Sequence, residues 1–234
     1  MELVLKAFLL AAGHGTRLRP LTDKIPKCLL LVRGKPMLQI WLELFHRFDI
    51  DEVLVNIHAH AEMVRDFLRK YQNGTKVHVV EETELLGSAG TLLANREWVV
   101  SENLFWVFYA DVLHRADLAG MLQMQRSRKP VATLGVYWVP DPARCGIVDV
   151  AEDGIVRQFI EKPAHPSSNL AFAGLLISTP ALLDAIPRKQ PVDIGFDVLP
   201  QLVGKMLAYP ISDYLIDIGT MDNYQRAQAT WPGL

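Results

Sequence analysis

Two glycines, Gly13 and Gly15, followed closely by Arg17 and Lys27, sit directly behind an apolar run in "LLAAGHGTRLRPLTDKIPKCLLL", residues 9–31. Glycines at this spacing let a backbone turn tightly and bring its N–H groups against an anion. Arg17 adds a planar fork for phosphate oxygens, and Lys27 adds a compact point charge, a combination suited to a polyphosphate. The loop lacks the third glycine of G-x-G-x-x-G and the G-K-S/T of a P-loop, so neither common nucleotide fingerprint describes it. Two carboxylates extend the chemistry. Asp111 follows the apolar "LFWVFYA" and Asp217 lies in "YLIDIG"; the pair could meet at one sheet edge, where a hard cation such as Mg2+ would suit them. His58 and His60 form an H-x-H, but no further His or Cys cluster completes a metal site, and a structural or solvent role is expected.

These residues need a scaffold, and the hydrophobic pattern describes one. Short apolar runs alternate with helical periodicity through the first 140 residues, the pattern of βαβ units around a mainly parallel sheet. "LKAFLLA", "EVLVNI", "KVHVV" and "LFWVFYA" read as strands. Between them, Met37, Trp41, Leu44, Phe45 and Phe48 mark one helical face behind Pro36, and Met63, Val64, Phe67 and Leu68 mark another. A third helix is expected over 89–99. Beyond Pro140, "GIVDV" and "IVRQFI" flank Glu152, Asp153 and Gly154, a turn suited to an antiparallel hairpin insertion. "LAFAGLLIS", "MLAYPI" and "YLIDI" read as further strands, with helices near 180–185, 197–203 and 221–229. Trp98, Trp106 and Trp138 are expected in the core.

The chain has 234 residues, with 24 Lys plus Arg against 26 Asp plus Glu and a formal net charge of −2. Such a balance lacks the basic footprint of nucleic-acid binding and favours a small-molecule partner. Cys28 and Cys145 are too few for a disulfide framework, which implies a reducing, cytoplasmic setting. Neither apolar run approaches the roughly 20 residues of a membrane span. The early "AFLLAAG" is read as a buried strand rather than a signal peptide, because a glycine loop follows at once.

As a whole, residues 9–31 resemble the signature G-x-G-T-R-L-x-P-L-T-x-x-x-P-K of the sugar-1-phosphate nucleotidyltransferases, the nucleotide-sugar pyrophosphorylases. The resemblance continues in order through "LLGSAGTL", "YAD" ending at Asp111, "CGIVDV", "FIEKP" and "LIDIGTMDNYQRA". Within the family the chain looks most like the mannose-1-phosphate guanylyltransferases. The resemblance implies an α/β fold: a Rossmann-like three-layer α/β/α sandwich with a mixed, mainly parallel central sheet and a small hairpin insertion, as a single domain over 1–234. It implies attack of a sugar-1-phosphate oxygen on the α-phosphorus of a nucleoside triphosphate, releasing pyrophosphate, with Mg2+ as cofactor.

Residue roles follow from the same resemblance. Arg17 would clamp the leaving pyrophosphate, Lys27 would bridge α-phosphate oxygens, and Asp111 with Asp217 would hold the metal, Asp111 being counted with the catalytic residues. Leu10, Ala11, Ala12, Gly13, Gly15, Thr16, Glu82 and Gly87 would contact the nucleotide. Gly146, Glu161, Lys162 and Gly174 would bind the sugar phosphate. Cys145 stands where the family usually has an aromatic residue, and Phe172 where many relatives have an Asn that contacts the sugar, which leaves a different or modified sugar open. Glu82 occupies the place of a Gln that reads the pyrimidine imide in thymidylyl- and uridylyltransferases. An ionised carboxylate accepts only, so it suits the adjacent N1–H and 2-amino donors of guanine, and GTP is the expected donor. The alternatives are a UTP- or dTTP-dependent enzyme, a phosphorylated-alcohol acceptor such as phosphocholine, and a non-catalytic nucleotide-sugar-binding regulatory subunit. No nucleic-acid or membrane partner is expected; homo-oligomerisation stays open.

Overall fold

The computed structural model describes residues 4–71 and 74–234; residues 1–3 and 72–73 of the expected 1–234 domain lie outside the described residues. Contacts divide the chain into two compact units, the first comprising Met1–Leu85, Phe108–Arg115 and Asp213–Leu234, the second Leu86–Val107 and Ala116–Ser212.

The elements run β1 (Lys6–Leu10), β2 (Leu31–Val32), β3 (Lys35–Pro36), α1 (Met37–Arg47), β4 (Glu52–Ile57), α2 (Ala61–Lys70), β5 (Lys76–Glu81), α3 (Ser88–Ala94), β6 (Phe105–Tyr109) and β7 (Val112–His114). There follow α4 (Leu118–Arg128), β8 (Ala132–Trp138), β9 (Gly146–Val150), β10 (Val156–Glu161), β11 (Leu170–Ser178), α5 (Ala181–Asp184), β12 (Met206–Pro210), β13 (Leu215–Asp217) and α6 (Met221–Thr230). The class is α/β, with a mixed, mainly parallel central sheet and two small antiparallel ribbons, β2–β3 and β7–β13.

In the first unit, β1, β4 and β5 pair in parallel with Leu10 beside Asn56 and Ile57 beside Glu81. Their carboxyl ends therefore share one edge, the usual ligand edge of an open α/β sheet. Helix α1 buries Met37, Leu38, Ile40, Trp41, Leu42, Leu44 and Phe45, and its Trp41 indole donates to the Ala110 carbonyl at 3.0 Å. That bond ties the helix to the residue before Asp111. Phe48 falls at the helix end. In α2, Val64 alone of the expected apolar face is fully buried and Met63 is exposed.

The second unit is mainly antiparallel: β11 pairs β8 and touches β9, and β9 pairs β10, while β12 lies parallel to β8. The β9–β10 hairpin turns at Gly154, whose φ of +86° favours glycine. Two expected helices are different in kind. Helix α3 ends at Ala94 and a 3₁₀ turn, Arg96–Trp98, finishes the segment. Around 197–203 a π-type turn, Ile194–Val198, runs into a 3₁₀ turn, Leu199–Leu202, because Asp193 caps Gly195 and Phe196 and Pro200 cannot donate to a regular helix. Trp106 is buried, but Trp138 is 68% exposed at the end of β8 and is not a core residue.

His114 on β7 is 3% exposed, with its ring centroid 5.2 Å from Trp41. Burial pushes its pKa down from 6.5 to about 4. Between those values the unfolded chain binds a proton that the folded chain refuses, so stability is full above the unfolded value and falls as pH drops toward 4. Urea unfolding should show a loss of about 2 kcal/mol between pH 7 and pH 5 from this group, absent in His114→Gln. Equal slopes in the two proteins would remove His114 as the cause.

Candidate active site

The glycine loop leaves β1 at Leu10, whose carbonyl accepts from Ala110 N–H at 3.1 Å, and Gly13 N–H bonds back to the Ala11 carbonyl at 2.9 Å. Gly15 has φ +65°, and a Cβ there would press on Thr22. The Thr22 hydroxyl in turn donates to the Gly15 carbonyl at 2.8 Å. A Cβ at Gly13 would meet no protein atom within 4 Å, so packing does not demand glycine there, whereas close approach of an anion would. Thr16 and Arg17 then form a 3₁₀ turn with Leu18, and Lys27 opens another over Lys27–Leu29.

Four charges of the first unit converge. Lys27 Nζ lies 2.5 Å from Asp111 Oδ2. The β7–β13 ribbon sets Asp217 opposite Val112, and Ile218 N–H donates to the Asp111 carbonyl at 2.9 Å, so two segments far apart in sequence share one place. Burial raises the Asp111 carboxyl, but Lys27 and then Arg17 outweigh it and hold the group below the usual aspartate value. Asp217 goes the other way: burial and the negative charge of Asp111 raise it, against Lys27 and Arg17. A Cβ on Gly219 would lie 2.7 Å from the Arg17 guanidinium and 2.8 Å from the Asp217 carboxylate. The glycine makes room for both groups. Asp217 Oδ1 also accepts from Gly219 N–H at 2.6 Å.

Glu82 follows β5 at the same strand edge and is 5% exposed. Its carboxylate accepts from Asn56 Nδ2 at 2.8 Å. Asn56 Oδ1 accepts in turn from Ala11 N–H at 2.7 Å and Ala12 N–H at 3.4 Å. His58 Nδ1 lies 2.7 Å from the Glu82 carbonyl, and His60 bonds the Thr22 carbonyl. The H-x-H is thus structural here: each ring pins a loop of this edge.

A second cluster belongs to the second unit. The Glu161 carboxylate lies where a Cβ on either Gly146 or Gly195 would have to be, so both positions must be glycine for it to stay. Burial and then Asp193 raise Glu161 above the usual glutamate value, with Lys162 opposing. Lys162, at φ +49°, places its Nζ 3.6 Å from Glu161 Oε1 and 5.3 Å from the centre of the Phe196 ring. Gly174, at φ +65°, sits where the β11–β8 register slips between Phe172 and Leu176. Gly87 also lies in this unit, at φ +80° against the backbone of Val192.

A family model described as nucleotidyl transferase matches residues 6–232. The chain belongs to that family. It is 32% identical over 227 residues to mannose-1-phosphate guanylyltransferase 1 of Arabidopsis thaliana, covering 94% of this chain and 63% of the relative. It is also 32% identical over 241 residues to the UTP–glucose-1-phosphate uridylyltransferase of Synechocystis, covering 95% and 62%. The chain thus spans a little under two thirds of the length of the relatives it matches. Among solved structures, HddC from Yersinia pseudotuberculosis complexed with GMP-PN superposes with a TM-score of 0.81 at 23% identity, covering 97% of this chain and 99% of that one; at that identity the likeness concerns the fold.

In this member of the nucleotidyl transferase family, the structure gathers Arg17, Lys27, Asp111, Asp217 and Glu82 at one edge of the first unit and Gly146, Glu161 and Lys162 in the second. Sequence reasoning passed over Thr22, Asn56, Gly195, Phe196 and Gly219. Gly219 carried a signal, a residue without a side chain two positions after the half-buried acid of "LIDIGT", and Asn56 carried another, a polar residue inside the buried strand "EVLVNI".

Proposed function

We propose that the chain transfers a nucleoside monophosphate from an NTP to a sugar-1-phosphate, giving a nucleotide sugar and pyrophosphate, with GTP as donor and mannose-1-phosphate or a related sugar as acceptor, and that residues 1–234 act as one nucleotidyltransferase domain. One observation carries this reading: the Arg17–Lys27–Asp111–Asp217 constellation. Phosphoryl transfer needs little from a protein beyond positioning and charge neutralisation, and no protein nucleophile is required. A regulatory subunit that only binds nucleotide sugar would have no use for a half-buried Lys–Asp pair beside a second carboxylate that the first one repels.

The donor set fits Mg2+. Asp111 raises Asp217 by repulsion, a cost that a divalent cation held by both would offset, and Mg2+ commonly takes one or two carboxylates and completes its shell with phosphates and water. When bound, the ion would neutralise charge on the phosphate oxygens. Lys27 would then stabilise charge building on the α-phosphate, and Arg17 would hold the departing pyrophosphate. The loop residues Ala11, Ala12, Gly13, Gly15 and Thr16 would contact the nucleotide together with Leu10 and Gly87, with Glu82 accepting from the base. Gly146 and Gly174 would offer backbone to the sugar, Glu161 would accept from its hydroxyls, and Lys162 would pair with its phosphate.

Both cysteines are free thiols, and among the described residues no helix is long and apolar enough to cross a membrane; a cytoplasmic setting fits both this and the substrates. The reading is tested by incubating the protein and Mg2+ with each of four NTPs against a panel of sugar-1-phosphates and measuring pyrophosphate. Release with GTP and a sugar phosphate supports it. Release with no pair would leave the regulatory reading standing, and preference for UTP or dTTP would overturn the base assignment.

Lys162 offers a sharper check, since its charge should address only the acceptor phosphate. Lys162→Ala should raise KM for sugar-1-phosphate by about tenfold or more, the order expected for one lost charge-assisted bond, and leave KM for the NTP within about twofold. Equal effects on both substrates would count against the role.

A further inference from the structure

We infer that Phe196 is a positioning residue for the acceptor phosphate: the face of its ring holds the Lys162 ammonium in place without cancelling its charge. This rests on the reading of Lys162 as the group that pairs with the sugar-1-phosphate. The backbone fixes where that side chain starts, since Lys162 N–H donates to the Cys145 carbonyl at 2.9 Å and its φ is +49°. It does not fix where the charge ends up. A flexible four-carbon stem separates the backbone from Nζ, and the side chain is more than half exposed, so the ammonium needs partners to stay in one place. Two are present. Glu161 Oε1 lies 3.6 Å from Nζ, and the centre of the Phe196 ring lies 5.3 Å from it.

The two partners differ in what they leave for a phosphate. A carboxylate draws the ammonium by neutralising it, and the closer the pair, the less attraction remains for a second anion. A ring face carries no net charge. Its quadrupole holds a cation while the full positive charge still acts on whatever approaches from the open side. The Glu161–Lys162 separation is longer than a charge-assisted hydrogen bond of about 2.7–2.9 Å, as expected of an ammonium shared between a carboxylate and a ring.

The fold holds this ring firmly and in the open. Phe196 lies in the π-type turn Ile194–Val198, in which Ile194, Gly195 and Val198 are buried while Phe196 is 55% exposed. Asp193 Oδ1 accepts from Gly195 N–H at 2.8 Å and from Phe196 N–H at 3.0 Å, and Asp193 N–H donates to Asp197 Oδ2 at 2.8 Å. These bonds use backbone N–H groups, so they survive a change of side chain at 196. A ring this exposed adds little to the core, and replacing it tests what it does for Lys162 without disturbing the fold.

The measurement is KM at saturating NTP for mannose-1-phosphate, or for the sugar-1-phosphate that the panel above prefers, a quantity independent of the fraction of active protein. Phe196→Leu keeps the apolar bulk and loses the ring face, and it should raise KM about two- to fivefold, the size of one exposed cation–π contact. Phe196→Tyr keeps the face and should stay within about 1.5-fold of the wild type. In a Lys162→Ala background, Phe196→Leu should change KM by less than about 1.5-fold, because no ammonium is left to hold. An effect of Phe196→Leu that persists in that background would show a contact with the sugar or a structural role and overturn the inference. An unchanged KM in Phe196→Leu, or an equal rise in Phe196→Tyr, would overturn it as well. Lys162→Ala with an unchanged KM would instead overturn the reading of Lys162, and the inference with it. Should Phe196→Leu not fold, Phe196→Ala takes its place in the same cycle with the same outcomes.

Discussion

Asp111→Asn should lower kcat for pyrophosphate release by about a hundred- to a thousandfold, the order seen when one group that stabilises transition-state charge is removed, while far- and near-UV circular dichroism stay native. The carboxylate lies 2.5 Å from Lys27 Nζ, and its charge is a cause of the raised pKa of Asp217. Removing one partner of a half-buried ion pair ordinarily destabilises the fold because the other charge is stranded. Here Lys27 is not stranded: Asp217, relieved of repulsion, ionises more readily and takes up the lysine's charge. The fold should survive on that exchange, and the chemistry should not, because a single carboxylate would be left to serve both the lysine and a metal ion. Isothermal titration with Mg2+ in the presence of a non-hydrolysable NTP gives a readout apart from turnover, and the variant should bind the ion at least about tenfold more weakly. Turnover within about tenfold of the wild type would sink the assignment of Asp111.

Gly87→Ala should unfold the protein at a markedly lower temperature. Gly87 has φ +80° and ψ 163°, a region open essentially to glycine, where any other residue costs about 1–3 kcal/mol. Space is also lacking, since a Cβ would run into the backbone of Val192 on three atoms. That backbone cannot move cheaply. Its carbonyl caps α3 by accepting from Ala89 N–H at 3.0 Å and Gly90 N–H at 3.2 Å, and its N–H returns to the Leu86 carbonyl at 2.9 Å. Ser88 locks the same junction, donating to Asp193 at 2.9 Å and accepting from Ile194 N–H at 2.7 Å. Together strain and clash should cost about 3 kcal/mol or more and lower Tm by roughly 6–12 °C. Calorimetry of Gly87→Ala against Leu85→Ala, a change at a half-buried neighbour, isolates the effect; a Tm within about 2 °C of the wild type would show that the left-handed geometry is dispensable. The glycine that the family resemblance assigns to nucleotide contact therefore has a local structural duty as well.

Much of this protein was decided by the linear order of its residues. Alternation of apolar runs and helical stripes was enough to mark β1, α1, β4, β5, β6 and the β9–β10 hairpin, because short apolar runs form the strands while α1 buries one stripe whose period shows in the sequence. Gly15, Arg17 and Lys27 were legible because one short loop holds them all. Other features had no local signature. Asp111 and Asp217 meet only because the β7–β13 ribbon pairs Val112 with Asp217, a register that no periodicity encodes. Segment 197–203 is expected as a helix, yet Asp193 capping, Pro200 and the ties to Ser88 wind residues 194–202 into π and 3₁₀ turns. Trp138 reads as core by residue type but lies at a strand end, where alternation leaves it outside. Glu82 stands among three glutamates within four residues, and charge alone would send all of them to water. Tertiary structure buried this one, because Asn56, facing inward from the neighbouring parallel strand, supplies the hydrogen bond that makes a buried carboxylate tolerable.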